Sequence, residues 1–200
     1  DKKHLGEKHE IEYNLELVSL IGAKTQDLTL SLSIDDREID VLSKDFNIKN
    51  CNNLIALHPW TSDLIKQWPL ENFRELAKRL VREQDIKVVI IGGKDELTKG
   101  REFLRTLDGD LINLTGRTTL RQLAAVLKKC KLLISGDSGP VHLACAVGTK
   151  VLAIFRNDIP GKSALRWGPW GKGHIIIEKG KLCDITVAEV FDKVKEVLDR

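Results

Sequence analysis

Short apolar runs separated by amphipathic segments dominate the chain from residue 53 onwards. The runs are NLIALH, IKVVIIGG, LINL, KLLIS, KVLAIF and HIIIE, and several of them show no polar–apolar alternation. Strands that are buried on both faces of a parallel sheet have this pattern. Because the runs alternate with helical patterns up to residue 200, the sequence predicts an α/β fold, a Rossmann-like open parallel sheet flanked by helices on both faces.

Three helix starts can be located from local signals. Pro69 is expected at the first position of a helix, whose inward side chains are Phe73, Leu76, Ala77 and Leu80. The segments TLRQ at Thr119 and TVAE at Thr186 have the pattern of capping boxes. Each predicts an amphipathic helix that begins directly after the threonine.

The first fifty residues have a different character. Residues 9–21 carry apolar side chains at helical spacing and end at Gly22, and LTLSLSI at 28–34 alternates strictly, which predicts a half-solvated strand. The polar stretch IKNCNN predicts a linker. The chain contains no methionine, so we expect a piece of a longer protein, with residues 1–50 as the tail of a preceding domain plus linker and residues 51–200 as the Rossmann-like domain.

Composition narrows the function class. The 200 residues carry a net charge of only +3, without a basic stripe, which disfavours a nucleic-acid partner. No apolar run approaches the ~18 residues of a membrane span, and no signal peptide is visible. The four cysteines are scattered without a CxxC pair. This usage predicts buried thiols in a cytoplasmic protein, and neither disulfides nor a metal site.

Polar turns follow four of the predicted strands. They read PWTSDLIKQWP, KDE, TGRTT and GDSGPVH, and they combine hydroxyls, carboxylates, a lysine and glycines. The carboxyl ends of parallel strands meet at one edge of the sheet, where ligands bind in such folds. The set therefore predicts a phosphate and sugar site.

Individual residues fit this chemistry. Gly139 allows close backbone approach, and Ser138 and the following amides face a helix start, where an anion is stabilised. Lys66, with Thr61 and Ser62, would donate hydrogen bonds to a diphosphate. Glu96 would accept hydrogen bonds from the vicinal hydroxyls of a ribose.

Structural explanations for the same residues stay open at this point. Asp137 and Ser138 would serve equally as helix caps. Glu96 would be a solvated acid at a helix start, Lys66 an ordinary surface lysine, and His142 a packed core histidine. Packing alone would explain the four tryptophans Trp60, Trp68, Trp167 and Trp170.

Several well-known motifs are missing. The chain has no GxGxxG after its first predicted strand and no GxxxxGK[ST], which disfavours a dinucleotide dehydrogenase and a P-loop protein. It also lacks a metal-ligand pattern and a nucleophile elbow.

Three segments together resemble glycosyltransferase family 9, the ADP-heptose lipopolysaccharide heptosyltransferases. They are HPWTSDLIKQWP, IGGKDE and TGRTTLRQLAAVLKKCKLLISGDSGPVHLACAVGTKVLAIF. The resemblance covers residues 53 to about 177 as the C-terminal, nucleotide-sugar-binding half of a GT-B fold. Residues 9–22 are similar to the segment that closes the family's N-terminal domain.

The resemblance implies donor-binding roles for nine residues, namely Thr61, Ser62, Lys66, Glu96, Arg117, Thr118, Asp137, Ser138 and Gly139. The first three would hold the ADP diphosphate, and Glu96 the ribose. The loop at Arg117 and Thr118 would offer backbone groups to the adenine, and the last three would touch the phosphates and the transferred sugar. One departure is Arg156, which stands where the family usually has glycine and would alter the loop beside the donor.

The reaction implied by the resemblance is an inverting transfer of heptose from ADP-heptose to the inner core on lipid A, without metal or cofactor. The catalytic base would lie in the N-terminal half, so no catalytic residue is assigned and the chain alone is expected to be inactive. The acceptor implies peripheral contact with the inner face of the inner membrane. Two alternatives stay open: a nucleotide-sugar-binding module that performs no transfer, and a GT-B relative such as a nucleotide-sugar epimerase.

Overall fold

Six parallel strands form one open sheet in the computed structural model, which describes residues 3–48, 51, 53–83, 86–105, 107, 109 and 111–199. The strands are β1 Asn53–His58, β2 Ile86–Ile90, β3 Leu111–Asn113, β4 Leu132–Gly136, β5 Lys150–Arg156 and β6 Ile175–Lys179. Their order in the sheet is β3-β2-β1-β4-β5-β6, and every neighbouring pair is parallel. Each of the six strands lies in a predicted apolar run or extends one residue beyond its carboxyl end, and the predicted Rossmann-like class is confirmed.

Helices connect and cover the strands. They are α1 Glu10–Ser19, α2 Asp36–Asp45, α3 Leu70–Arg82, α4 Leu97–Leu104, α5 Leu120–Lys129, α6 Gly139–Ala146, α7 Ala164–Trp167 and α8 Val187–Leu198. Short 3-10 turns occupy Lys3–Leu5, Leu64–Lys66, Lys94–Glu96 and Leu182–Asp184.

The apolar runs are continuous because both faces of the sheet are covered. Successive side chains of a strand point to opposite faces. Ile55 and Leu57 of β1 pack with α3, α4 and α8, whereas Leu54 and Ala56 pack with α5 and α6. All four are fully buried, and full burial of a Leu or Ile side chain stabilises the fold by about 1.5–3 kcal/mol.

The predicted helix starts differ in how well the structure matches them. Pro69 directly precedes α3 rather than opening it, and the four predicted inward side chains of α3 are buried. Thr119 forms the complete capping box of α5. Thr186 accepts a hydrogen bond from the Glu189 amide, but the Glu189 carboxylate pairs with Lys179 instead of reaching back.

The strand predicted at residues 28–34 is wrong. This segment has no strand hydrogen-bond ladder in the structure. The Leu32 amide donates to the Ala146 carbonyl at the end of α6, and the Leu28 carbonyl accepts from Trp170 Nε1. Among its four apolar residues only Ile34 is buried. Alternation is typical of a half-buried strand, but a strand also needs a neighbouring strand, and this segment has none.

Residues 34–48 attach the N-terminal segment to the domain. Helix α2 packs on α5 through Leu42, and Asn47, with a φ of +56°, ends α2 in the left-handed conformation. Ile48 is then buried in the core beside β1. The predicted linker, residues 48–53, includes 49, 50 and 52, which lie outside the described residues. The division at residue 50 stays a prediction.

Helix α1 is attached differently, because no residue within it is buried. Its cap His9 is buried and lies against Gly168, and Glu10 pairs with Arg166. Leu20 and Ile21, directly after the helix, are 81% and 85% exposed. The helix predicted over residues 9–21 is therefore present, but its apolar side chains are not part of the core of this domain.

All four cysteines are free thiols. Cys130 and Cys145 are buried, whereas Cys51 is half-buried and Cys183 is exposed, so the predicted burial holds for two of the four. Burial raises the pKa of the Cys145 thiol to about 11, so it is uncharged at neutral pH. Among the described residues, no helix combines the length and the apolar character needed to cross a membrane.

Candidate functional site

The strand order reverses between β1 and β4, and the loops that follow these two strands diverge there. Such a switch point opens a crevice at the carboxyl edge of an α/β sheet. His58 at the end of β1 lies directly opposite Ser135 of β4 in the strand register. Both side chains lie on the face covered by α5 and α6, close to the first turn of α6.

His58 and Ser135, which are buried, form a polar cluster with the half-buried Ser138. His58 Nδ1 lies 3.0 Å from Ser138 Oγ and 3.2 Å from Ser135 Oγ, and the two hydroxyl oxygens are 2.8 Å apart. Only 7% of His58 is exposed. Burial lowers the pKa of His58 to about 4, since the charged imidazolium loses its solvent. The imidazole is therefore neutral at pH 7.

An ion pair spans the crevice above this cluster. Lys66 Nζ lies 2.6 Å from Asp137 Oδ2, with 21% and 10% of the two side chains exposed. Asp137 Oδ2 has no hydrogen-bond partner among the described residues. The contact with Lys66 is therefore an ion pair whose angles do not meet those of a hydrogen bond. The Lys66 ammonium also lies 5.8 Å from the centre of a Trp167 ring. Lys66 is thus held in place rather than being an ordinary surface lysine.

Backbone geometry brings the Lys66 loop close to β4. A Cβ atom on Gly136 would lie 3.1 Å from the Lys66 carbonyl oxygen, so any side chain there would push the loop outwards. Thr61 Oγ1 donates a hydrogen bond to the Asp63 carbonyl, and Asp63 accepts one from the Ile65 amide. These bonds shape the loop through its own side chains.

The loop after β5 holds the Lys66 loop from the other side. Arg156 Nη1 donates to the Ile65 carbonyl at 3.0 Å, while its Nε and Nη2 donate to Asp158 at 2.7 Å each. Lys162 pairs with Asp63 at 2.7 Å. Arg156 therefore links two loops, which a glycine at this position would not do.

The part of the edge after β2 and β3 is shaped by hydrogen bonds within and between its own turns. The Gly93 amide donates to Glu96 Oε2 at 2.8 Å, so Glu96 closes its own 3-10 turn. Gly116, with a φ of +70°, donates its amide proton to the Gly92 carbonyl. Arg117 is exposed and donates to the Asn113 carbonyl at 3.2 Å. Thr118 is half-buried beside it.

The predicted site residues thus form two groups on one edge. Lys66 meets Asp137 directly, and a Cβ on Gly136 would lie 3.5 Å from Thr61 Cγ2, which places Thr61 in the same crevice. Ser62 is exposed in this loop, and Gly139 is exposed at the start of α6. Glu96, Arg117 and Thr118 belong to the second group, which follows β2 and β3.

The alternative structural explanations hold for some residues only. Ser138 is the N-cap residue of α6, but its side chain makes no capping hydrogen bond. Glu96 does cap a turn. His142 is half-buried, and its pKa is lowered by burial and by His9, while Asp137 acts in the opposite direction. Trp60 and Trp68 are buried packing residues that donate to the backbone carbonyls of Ile91 and Ile185.

Sequence reasoning did not single out His58 or Ser135. Their signal was available, since each is a polar residue at the end of an otherwise apolar buried strand, NLIALH and KLLIS. A buried polar group needs a hydrogen-bond partner. The sequence cannot identify that partner, because it lies across the sheet.

The chain is similar in sequence to known heptosyltransferases. Lipopolysaccharide heptosyltransferase 2 of Salmonella typhimurium is 29% identical in an alignment of 189 residues that covers 84% of this chain and 53% of that protein. The lipopolysaccharide core heptosyltransferase OpsX of Haemophilus influenzae is 30% identical over 137 residues, 68% of this chain and 38% of that protein. The chain thus spans about half or less of the length of these relatives.

Solved structures share the fold. The structure of E. coli ADP-heptose lps heptosyltransferase II matches with a TM-score of 0.77 at 24% identity, over 88% of this chain and 55% of that one. A glycosyl transferase family 9 protein from Veillonella parvula matches with a TM-score of 0.82 at 21% identity, over 96% of this chain and 60% of that one. The model of glycosyltransferase family 9 (heptosyltransferase) matches residues 2–193, and the chain belongs to this family.

Proposed function

We propose that this chain is the donor-binding half of a glycosyltransferase that transfers heptose from ADP-heptose to the inner core of lipopolysaccharide. Membership of family 9 and the names of the relatives support the class of reaction. The observation that carries the proposal is the Lys66–Asp137 pair, held in the switch-point crevice next to the start of α6.

This pair suits a phosphosugar because its two charges have different hydrogen-bond capacities. The Lys66 ammonium has three protons, so it can contact Asp137 and still donate to phosphate oxygens. The Asp137 carboxylate only accepts hydrogen bonds at neutral pH, which suits the hydroxyls of the transferred sugar. The amides at the start of α6 add donors and a positive dipole end for the diphosphate.

The nucleoside would lie along the second group of residues. Glu96 Oε2 is taken by the Gly93 amide, while Oε1 has no hydrogen bond among the described residues and would accept from the ribose hydroxyls. The turn at Gly116 and Arg117 presents backbone groups beside it, suited to the edge of an adenine. Sugar, diphosphate and nucleoside would then run from β4 across β1 to β2 and β3.

The proposed chemistry is an inverting displacement without metal. Negative charge develops on the leaving diphosphate, and fixed donors placed there stabilise the transition state. Lys66 and the α6 amides would supply them. A base must also take the proton of the acceptor hydroxyl; in our proposal it belongs to the N-terminal half of the GT-B enzyme, and no residue of this chain is assigned to it. A lipid-linked acceptor makes peripheral membrane contact part of the proposal.

Calorimetric titration tests the donor site. We expect ADP to bind more tightly than UDP, and binding to persist in the presence of a chelator of divalent ions. Equal affinity for the two nucleotides, or binding that requires magnesium, would contradict the proposed donor.

A turnover assay tests whether heptose transfer needs the N-terminal half in addition to this chain. The 200-residue chain is incubated with ADP-heptose and a heptose-deficient lipid acceptor, and ADP release is followed. We expect no acceptor-dependent release from the chain alone, and release when the N-terminal half of a family member is supplied. Turnover by the chain alone would refute the half-enzyme proposal. Binding without turnover even in the presence of that half would favour a non-catalytic module, and epimerised nucleotide sugar would favour an epimerase.

A further inference from the structure

The polar cluster of His58, Ser135 and Ser138 contains more close atom pairs than hydroxyl protons. Three heavy atoms, His58 Nδ1, Ser135 Oγ and Ser138 Oγ, lie within 2.8 to 3.2 Å of one another. Two lone pairs that face each other at this distance repel, so at least one atom of each pair must direct a proton towards the other. When Nδ1 is unprotonated all three atoms present lone pairs, and the two hydroxyl protons satisfy at most two of the three contacts.

The tautomer of His58 decides where these protons go. If the ring proton is on Nε2, both hydroxyl protons are needed inside the cluster, and Ser138 has none to give to a ligand. If the ring proton is on Nδ1, this nitrogen no longer presents a lone pair. Its N–H lies towards both hydroxyl oxygens, Ser135 donates to Ser138, and the proton of Ser138 is free to point outwards. The ring nitrogen thus sets the direction of a hydroxyl proton at the mouth of the crevice.

We propose that His58 is a positioning residue, which takes the Nδ1–H tautomer when a nucleoside diphosphate is bound and so directs the Ser138 proton to a phosphate oxygen. This inference rests on the proposed function, since it needs an anion beside Ser138. It adds a role for a residue that does not itself touch the ligand.

Three observations support it. His58 is 7% exposed, and its burial lowers its pKa to about 4. At pH 7 the ring therefore carries one proton, which is either on Nδ1 or on Nε2. Ser138 makes no capping hydrogen bond to α6, so its hydroxyl is committed to this cluster and not to the helix. His58 and Ser135 are register partners at the ends of two paired strands, which keeps the geometry fixed.

Nitrogen-15 NMR of the histidine-labelled chain tests the tautomer directly. A protonated and an unprotonated ring nitrogen differ strongly in chemical shift, and a His58→Asn variant identifies the signals of His58 among the five histidines. At pH 7 with saturating ADP we expect Nδ1 to be protonated and Nε2 not. In a Ser138→Ala variant, ADP should no longer select this tautomer.

A matched pair of variants measures the effect on binding. Asn and Leu have nearly the same shape, but only Asn places an N–H group near the position of Nδ1. We expect His58→Leu to weaken ADP binding by about fivefold to tenfold, the scale of one hydrogen bond, and His58→Asn to recover most of that loss. Thermal unfolding of both variants shows that each is folded before titration.

The outcomes separate this inference from the proposed function. If ADP binds and His58 carries its proton on Nε2, or if the Leu and Asn variants bind ADP equally well, the positioning role is refuted while the donor site stands. If the unaltered chain binds no ADP, the proposed function fails and the inference fails with it.

Discussion

The two groups of site residues on the carboxyl edge are built in opposite ways. Beside β1 and β4, charged and polar side chains are half-buried or buried and contact one another, as in the Lys66–Asp137 pair and the His58–Ser138 contact. Beside β2 and β3, Arg117 is exposed, and Glu96 and Arg117 bond mainly to their own turns. The first group depends on distant parts of the chain, and the second on local loop geometry.

This difference indicates where binding specificity and strength arise. A preorganised charge at a partly buried position loses little entropy on binding, and salt screens it less than a fully exposed charge. An exposed side chain contributes less, and its loop offers mainly backbone groups. Substitutions beside β1 and β4 should therefore have larger effects than substitutions beside β2 and β3, and the four predictions below test this order.

The largest expected effect is the loss of folding stability at acidic pH that results from protonation of His58. Its pKa is 6.5 in the unfolded chain and about 4 when buried, so between these values the unfolded chain binds more protons. The free energy of unfolding should therefore fall as the pH falls through this window, by about 3 kcal/mol from this residue.

Urea unfolding at pH 7 and pH 4 measures this loss, with His58→Asn as the comparison. The lowered pKa values of His142 and His174 act in the same direction. Both residues are present in both proteins, so their contributions to the pH dependence of unfolding cancel in the comparison. We expect the unaltered chain to lose about 3 kcal/mol more than the variant. An equal loss would show that His58 is not the acid-sensitive group.

Replacing Lys66 by alanine should have the next largest effect. It removes a donor to the diphosphate and leaves Asp137 unpaired beside it, so ADP binding should weaken by about 1.5–3 kcal/mol. The difference should shrink at high salt because the interaction is screened. Lys129→Ala removes the same charge from the last turn of α5, away from the crevice, and serves as the calorimetric control. Equal losses for both variants would mean that only net charge matters.

A smaller effect is expected from Glu96→Gln. Glutamine can still accept from the Gly93 amide, so the turn is kept while the charge is lost. ADP binding should weaken by about 1 kcal/mol, in the range of a single hydrogen bond. A dideoxy analogue of ADP that lacks the ribose hydroxyls should bind equally to the variant and to the unaltered chain. If the analogue still distinguishes the two proteins, Glu96 does not contact the ribose.

The smallest effect is expected from Arg117→Ala. The side chain is exposed and bonds to one backbone carbonyl, while the nucleoside would be recognised by the backbone of this loop. ADP affinity should change by less than about 0.5 kcal/mol, as for surface substitutions in general. A loss as large as that of Lys66→Ala would reverse the comparison between the two groups.

The sequence by itself determined the elements of this fold. A strand buried on both faces must be apolar throughout, and a helix start must satisfy free amides, so NLIALH and the box at Thr119 are visible without a structure. The class of the sheet and the edge that carries the polar turns follow from the same local patterns, and the candidate site residues follow from the family segments.

Tertiary structure decided which of these residues meet. His58 contacts Ser138, and Lys66 contacts Asp137, across 80 and 71 positions of sequence, and no spacing rule acts over such distances. The strand order and register place them together, while residues 28–34, despite their strict alternation, have no neighbouring strand. Local patterns indicate which elements form, but a hydrogen-bond partner is chosen only when the chain packs, because the partner's position depends on every element between the two.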